Sequence, residues 1–318
     1  MKKKQMIEDL VEGMGVDSLF LLDECDLRRA RNGSLYFHLI LADRTGRVNA
    51  RRWDAREKEA SEIAAGDILK VGGFVESYRG RPQIIVRSFS PVTETDEVAP
   101  EDFLPSSPRE TGEMLRELKA ILAEVERPAL ASLLDAFFGD PAFEKRFCRA
   151  PAGVKLHHAY LGGLLEHTLA VTKAAKAVAE LYPTLDKDLL LVGAFLHDVG
   201  KTEELLWERR FAYADRGRLV GHIQLGAEML SERARGVEGF PAGLLDVLTH
   251  IILSHHGRYE FGSPKLPMTS EAVVLQFLDD LDAKVMAVEA LKKDGGKEGW
   301  SDYIRSFERA FYLGGDGA

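Results

Sequence analysis

The sequence predicts a multidomain chain, an N-terminal all-β barrel followed by a C-terminal all-α helical bundle. Three observations carry that expectation. Between residues 17 and 92 the apolar side chains recur with period two and glycine punctuates the turns. From Gly112 onward the apolar period becomes helical. Between the two, residues 93–111 place Pro100, Pro105 and Pro108 among Thr, Glu, Asp and Ser, which reads as an extended acidic linker. The expected division is therefore 1–92, 93–111 and 112–318. With 318 residues, 45% of them apolar, the chain can fill a core in each part.

In the first part Leu35, Phe37, Leu39 and Leu41 alternate with Tyr36, His38 and Ile40, the pattern of a strand with one face buried. Asp43-Arg44-Thr45-Gly46 is a hairpin turn, and Val48 to Trp53 returns as the partner strand. A helical piece over 55–64 connects to a strand over 67–75. After the turn Tyr78-Arg79-Gly80-Arg81-Pro82, residues 83–87 close the set. Five short strands with one helix between the third and fourth is the order of an OB-fold barrel. The phrase Leu41 to Gly46 followed by a Trp53 strand is also similar to nucleic-acid-binding OB domains. Such barrels stack single-stranded bases on exposed aromatics and track phosphates with basic side chains. Tyr36, Trp53 and Tyr78 are the candidate stacking rings here, and Arg51, Arg52, Arg79 and Arg81 the candidate phosphate contacts. His38 and the core-side Phe37 and Phe74 read as structural.

Charge supports that division of labour. Residues 1–90 hold sixteen Lys/Arg against fourteen Asp/Glu, although the whole chain carries a net charge of −9. The basic residues fall in groups, which favours a polyanionic partner. No apolar run approaches the ~18–20 residues of a membrane span. Met1-Lys2-Lys3-Lys4-Gln5 leads into Met6-Ile7-Glu8-Asp9 rather than an apolar export signal. Cys25 and Cys148 lie far apart, so no disulfide is expected and a cytoplasmic setting follows. A membrane partner is not expected.

The helical part is read in order. Met114, Leu118, Ile121 and Val125 share one stripe, and Leu130, Leu133, Leu134 and Phe137 another after Pro128. A short helix over 141–148 follows. A long helix over 159–181 ends at Pro183 with His167 on its inner face. The next begins at Asp186 or Lys187 and ends at Gly200, where glycine allows a left-handed cap. That puts His197-Asp198 in its last turn and Lys201 just beyond. Residues 211–213 and 218–220 read as a small hairpin leading to Gly221-His222, with His222 opening a helix. A helix over 241–255 ends in His255-His256-Gly257, and one over 269–291 carries Asp279 among Val274, Leu275, Leu278 and Leu281. A last helix is expected over 300–311, ahead of a frayed end.

The histidines concentrate between residues 157 and 256, and no cysteine joins them. Imidazoles and carboxylates without thiolates suit one or two divalent ions that activate water. Asp279 on an apolar helix face needs a compensating cation. A His-Asp doublet can serve two ions, the imidazole binding one and the carboxylate bridging to a second. The assignment is His167, His197, Asp198 and Asp279 for one ion, and Asp198, His222, His255 and His256 for the other. Of the vicinal pair, His255, His256 or both ligate. Lys201 beside the metals is placed to hold a phosphate oxygen, and Asp198 and Lys201 are the expected catalytic groups. His157-His158 precede the first site helix, and His158 is a candidate to hydrogen-bond substrate or donate a proton. Asp282 reads as a partner to the site or to Lys284. His250, off the His255 helix face, reads as packing.

His167, His197-Asp198, Lys201, His222, His255-His256 and Asp279 together resemble the HD-domain metal-dependent phosphohydrolase superfamily. Longer phrases narrow the likeness. They are His157-His158-Ala159-Tyr160 through His167-Thr168, His197 through Thr202, Gly221-His222-Ile223, Ile252 through Gly257, and Asp279-Asp280-Leu281-Asp282-Ala283-Lys284. With an OB domain ahead of the HD domain, nearly the whole chain resembles the YhaM-type 3′-to-5′ exoribonuclease family. Asp280 stands where that family has Asn, and Gln276 where histidine is common; neither removes a ligand. The resemblance implies an enzyme that trims single-stranded RNA to mononucleotides, with single-stranded DNA as a second candidate substrate. It also implies a homo-oligomer and a preference for Mn2+ over Co2+, Fe2+ or Mg2+. Two rivals are an HD hydrolase of a small nucleotide (a cyclic dinucleotide, dNTP or alarmone) with a regulatory OB domain, and an inert RNA-binding protein. The complete ligand set argues against the second, and the arginine-rich barrel against the first.

Overall fold

Alternating apolar residues build a closed barrel. The structure, a computed structural model, describes residues 3–93, 96, 98–154, 158–293 and 299–314. Strands β1 (Gly15–Arg29), β2 (Leu35–Asp43), β3 (Gly46–Trp53), β4 (Ile68–Tyr78) and β5 (Arg81–Pro91) close in the order β1-β2-β3-β5-β4. β3 and β5 run parallel, and the other neighbours run antiparallel. This is the expected OB-fold. The helical piece between β3 and β4 is shorter than the sequence predicts, a single turn α1 (Glu57–Ala60).

Register decides what each barrel face carries. Phe37, Leu39 and Leu41 of β2, Val48 and Ala50 of β3, and Ile84 and Val86 of β5 point inward and are buried. Their neighbours Tyr36, Arg51, Trp53 and Ile85 take the outer face, because side chains alternate along a strand. At Gly73 the bulged β4 backbone comes so close to β5 that a Cβ would lie 2.2 Å from the Ile85 carbonyl oxygen. Only glycine allows that approach.

The second part is helical. Its elements are α2 (Thr111–Leu122), α3 (Pro128–Phe138), α4 (Pro141–Arg149), α5 (Gly163–Leu181), α6 (Lys187–Leu196), α7 (Lys201–Glu204), α8 (Asp215–Val220), α9 (His222–Arg235), α10 (Ala242–Ser254) and α11 (Ser270–Lys293). Every residue of α6 from Leu189 to Leu196 is buried, and the helix packs against α3, α5, α10 and α11. A helix apolar on all sides must sit at the centre of its bundle. Asp186 caps it, accepting from the Leu189 backbone N–H at 3.0 Å. The chain separates into two compact units, one of residues 1–106 with Trp207–Phe211, the other of Ser107–Leu206 and Ala212–Ala318. Among the described residues no helix is long and apolar enough to cross a membrane.

Three local expectations are corrected. Residues 218–220 are not a strand: they belong to α8, and the small hairpin pairs β6 (Leu205–Leu206) with β7 (Ala212–Tyr213). Among the described residues the expected tail helix over 300–311 is reduced to one 3-10 turn (Arg305–Phe307); β8 (Gly299–Trp300) pairs with β9 (Tyr312–Gly314), and the Trp300 and Tyr312 rings meet at 5.6 Å. The bridge Ile304–Arg309 and the left-handed Glu308 turn that segment back. The expected frayed end lies outside the described residues. Finally, Gly200 is right-handed, with φ −62°, so it is not a left-handed cap. Its glycine serves packing: a Cβ there would lie 2.0 Å from the His222 carbonyl oxygen.

Candidate metal centre and nucleic-acid interface

The buried end of α6 delivers the centre of the site. His197 caps that helix, and Asp198 follows it into the interior with its side chain almost fully enclosed. Gly200 lets the start of α9 approach, and Gly221, with φ 79°, opens α9 so that His222 is its first residue. α5 brings His167, the end of α10 brings His255 and His256, and α11 brings Asp279.

Asp198 lies between two groups of donors. Its Oδ2 is 3.5 Å from both His167 Nε2 and His197 Nε2, while its Oδ1 is 3.5 Å from His222 Nε2 and 3.6 Å from His255 Nε2. On the Oδ2 side, His167 Nε2 also stands 3.1 Å from His197 Nε2 and 3.2 Å from Asp279 Oδ1. The ligand atoms of His167, His197 and Asp279 lie within 4.8 Å of one another, as do those of His222, His255 and His256. All seven sequence-predicted ligands are thus brought together.

The orientation of the rings is set from behind. His197 Nδ1 donates to the Ala194 carbonyl at 2.8 Å, His255 Nδ1 to Ile252 at 2.7 Å, and His256 Nδ1 to Phe261 at 2.8 Å. His222 Nδ1 faces Glu204 Oε1 at 3.1 Å, and His167 Nδ1 faces Asp282 Oδ2 at 2.6 Å. A carbonyl or carboxylate accepts from Nδ1–H, which turns Nε2 toward Asp198. Partners of this kind orient metal-binding imidazoles. Asp198 Oδ1, His222 Nε2 and His255 Nε2 are buried without a hydrogen-bond partner in the protein. Ligands ~2.1 Å from one ion stand about 3.0 Å apart in octahedral and about 3.4 Å apart in tetrahedral geometry. Spacings of 3.1–3.6 Å around Asp198 therefore fit divalent ions, and the nitrogen and oxygen donors suit borderline-to-hard ones.

Electrostatics follow the same division. Burial alone would raise the Asp198 carboxyl, but Lys201, 2.6 Å from Oδ2, and the surrounding imidazoles hold it well below the usual range. The same ion pair outweighs burial to raise Lys201. Asp279 and Asp282 stay ionised in spite of burial because His167 and its neighbours face them. Burial opposes charge on His167, yet Asp279 and Asp282 push its pKa up to about 9. Burial and then the neighbouring His256 drive His255 well below its ordinary value, so it is neutral and ready to ligate.

His158 differs from its expected part. Its Nδ1 meets Tyr160 Oη at 2.8 Å and its Nε2 meets Asp282 Oδ2 at 2.9 Å, so both ring nitrogens are engaged inside the protein. It packs beside His167, their ring centroids 5.5 Å apart, with Asp282 between their ring nitrogens. His157 lies outside the described residues. Lys201 is likewise occupied by Asp198. His250 accepts from the Met268 backbone N–H at 2.9 Å and only packs a loop. Sequence reasoning missed Glu204, whose Oε1 also accepts from the His222 backbone N–H at 3.0 Å. In the sequence it is one of two adjacent glutamates and reads as solvated charge; only the folded chain brings it against His222, eighteen residues on.

On the barrel, the Tyr36 and Trp53 rings lie 5.1 Å apart, and the Arg51 guanidinium sits 5.6 Å from Trp53 and 4.8 Å from Tyr78. The Arg79 guanidinium also lies 5.4 Å from the Tyr78 ring, and Arg81 pairs across from Tyr78. Arg52 is the exception. It pairs with Phe37 on the opposite strand face and donates to the Trp53 carbonyl at 2.7 Å. The outer face instead continues into Phe74, only half-buried beneath Arg87 at 5.0 Å, a pair the sequence did not reveal.

Comparison with known proteins agrees with both halves. Residues 164–284 match the HD domain family, and residues 25–92 match an OB-fold nucleic acid binding domain. The 3′-5′ exoribonuclease YhaM of Bacillus subtilis is 37% identical over 302 residues, covering 94% of this chain and 95% of that one. The chain belongs to the YhaM 3′-5′ exoribonuclease family. YhaM of Listeria monocytogenes is 31% identical over 305 residues, covering 96% of each chain. The YhaM likeness thus spans both domains. An HD domain with this His/Asp cluster is a divalent-metal-binding domain.

Proposed function

We infer that this chain is a metal-dependent 3′-to-5′ exoribonuclease that trims single-stranded RNA to mononucleotides, with single-stranded DNA as a second candidate substrate. The observation that carries the reading is Asp198, with one carboxylate oxygen facing each of two donor groups. His167, His197, Asp198 and Asp279 would hold one ion; Asp198, His222, His255 and His256 would hold the other, Mn2+ in preference to Co2+, Fe2+ or Mg2+. When bound, the ions would lower the pKa of water at the scissile phosphate and stabilise phosphoryl charge. The protein's part is positioning. Asp282, Glu204 and three backbone carbonyls hold the imidazoles in one tautomer. Lys201 keeps Asp198 ionised and adds positive charge where the phosphate must sit. His158 steadies Asp282, and through it His167.

Residues 1–92 serve as the single-strand grip: Tyr36, Trp53 and Tyr78 stack bases, while Arg51, Arg79 and Arg81 meet phosphates. Residues 93–111 connect this grip to the hydrolytic part, 112–318. An aromatic and basic face of this extent favours a polymer over a small nucleotide. The reading includes a cytoplasmic setting and a homo-oligomer, for which Val273, Phe277, Leu281 and Val285, exposed at four-residue spacing on α11, offer an apolar face. A time course with Mn2+ on RNA oligomers labelled at either end tests the central reading. The 3′ label should leave at once as mononucleotide while the 5′ label reports a shortening ladder. Intact oligomers alongside hydrolysis of a cyclic dinucleotide would replace the reading with the small-nucleotide one.

A further inference from the structure

The cleft beside His222 and His256 opens into a pocket of about 290 Å3 whose rim carries Phe261 and Pro264. Phe261 is 60% exposed, yet it does not sit on a slack loop. Its backbone N–H donates to the Arg258 carbonyl at 3.1 Å, and Gly262, with φ 84°, turns the chain after it. Ser263 Oγ ties the same loop to the Leu253 carbonyl at 3.0 Å and the Lys265 carbonyl at 2.7 Å. The Phe261 carbonyl in turn holds His256 Nδ1. One residue therefore holds the His256 imidazole with its backbone and presents an exposed aromatic ring with its side chain. The Arg258 guanidinium lies 5.7 Å from that ring.

We propose that Phe261 is the stacking platform for the base of the nucleotide being removed, with Arg258 adding a cationic contact. The inference rests on the exonuclease reading and gives it a recognition element. Every base offers a π-face, so a stacked contact grips the terminal nucleotide without regard to sequence, and a neighbouring guanidinium strengthens it. A pocket near the lower end of ligand-site volumes, about 300 Å3, suits one base rather than a folded dinucleotide. The coupling to His256 places that base at a set distance from the metal ligands.

The test uses the full-length protein with Mn2+ and two otherwise identical RNA oligomers, one ending in an ordinary 3′ nucleotide and one in an abasic 3′ nucleotide. The ratio of kcat/KM between them should be about tenfold in the wild type. It should fall close to one in Phe261→Ala and be retained in Phe261→Trp. Calorimetric Mn2+ titration of each variant reports whether His256 is still held, separately from turnover. A wild type that cleaves both oligomers equally, or a Phe261→Ala variant that keeps the tenfold ratio, overturns the platform while leaving the exonuclease reading in place. A wild type that cleaves neither oligomer removes both.

Discussion

Asp198 contributes charge and two oxygens rather than bulk. Asp198→Asn keeps the volume and removes both the charge and one ligating oxygen. Hydrolysis of RNA should fall about a thousandfold or more, while single-strand affinity, resting on the barrel, stays within about twofold of wild type. Turnover retained in Asp198→Asn, measured with end-labelled RNA, would take Asp198 out of the centre. His167 gives a pH signature. Its pKa is raised from 6.5 to about 9 in the metal-free fold, so the folded state holds that proton more tightly than the unfolded chain. The stabilisation is complete below pH 6.5 and is lost as pH rises through about 9. Thermal unfolding of the metal-free protein should lose stability across that window, and His167→Gln should flatten the slope. The same residues show what was legible. Residue type and order gave away His167, His197, Asp198, His222, His255, His256 and Asp279, because imidazole and carboxylate chemistry is visible in the letters. Glu204 and the inward position of His158 were not, since what a second carboxylate or ring touches is decided by how α5, α7, α9 and α11 pack.

At the level of elements, close approach rather than turn geometry explains the glycine after the doublet. A Cβ on Gly200 would lie 2.0 Å from the His222 carbonyl oxygen and 2.6 Å from the Gly226 backbone nitrogen. Gly200→Ala should therefore cost about 1–3 kcal/mol of stability and weaken Mn2+ binding by moving His222, although no ligand is changed. Chemical denaturation and calorimetry on the same variant check both effects; an unaltered midpoint would show that α9 can shift freely. Long periodic helices such as α5, α10 and α11 were readable because their apolar residues recur over several turns, and α6 because its apolar run is unbroken. The β6–β7 and β8–β9 pairs were not. Two- and three-residue strands carry too little period to read, and contacts such as Trp300 against Tyr312 select them only in the folded chain.

Across the whole molecule, a charge balance near neutrality on residues 1–90 and strong acidity elsewhere was the first sign that the two halves do different work. On the outer face of the barrel Arg51 lies among Tyr36, Trp53 and Tyr78. Tyr78→Ala should weaken single-stranded RNA binding by about 1–3 kcal/mol and leave the Mn2+ titration unchanged. Arg51→Ala should lower the slope of log affinity against log salt by about one phosphate contact. Equal losses in binding and in metal content would mean that the two tasks are not separable.

The measurement that bears most directly on the account is a calorimetric titration of metal-stripped wild-type protein with Mn2+. Donor groups on both oxygens of Asp198 predict two equivalents per chain and a release of protons on binding. A single equivalent would contradict the bridged two-ion centre.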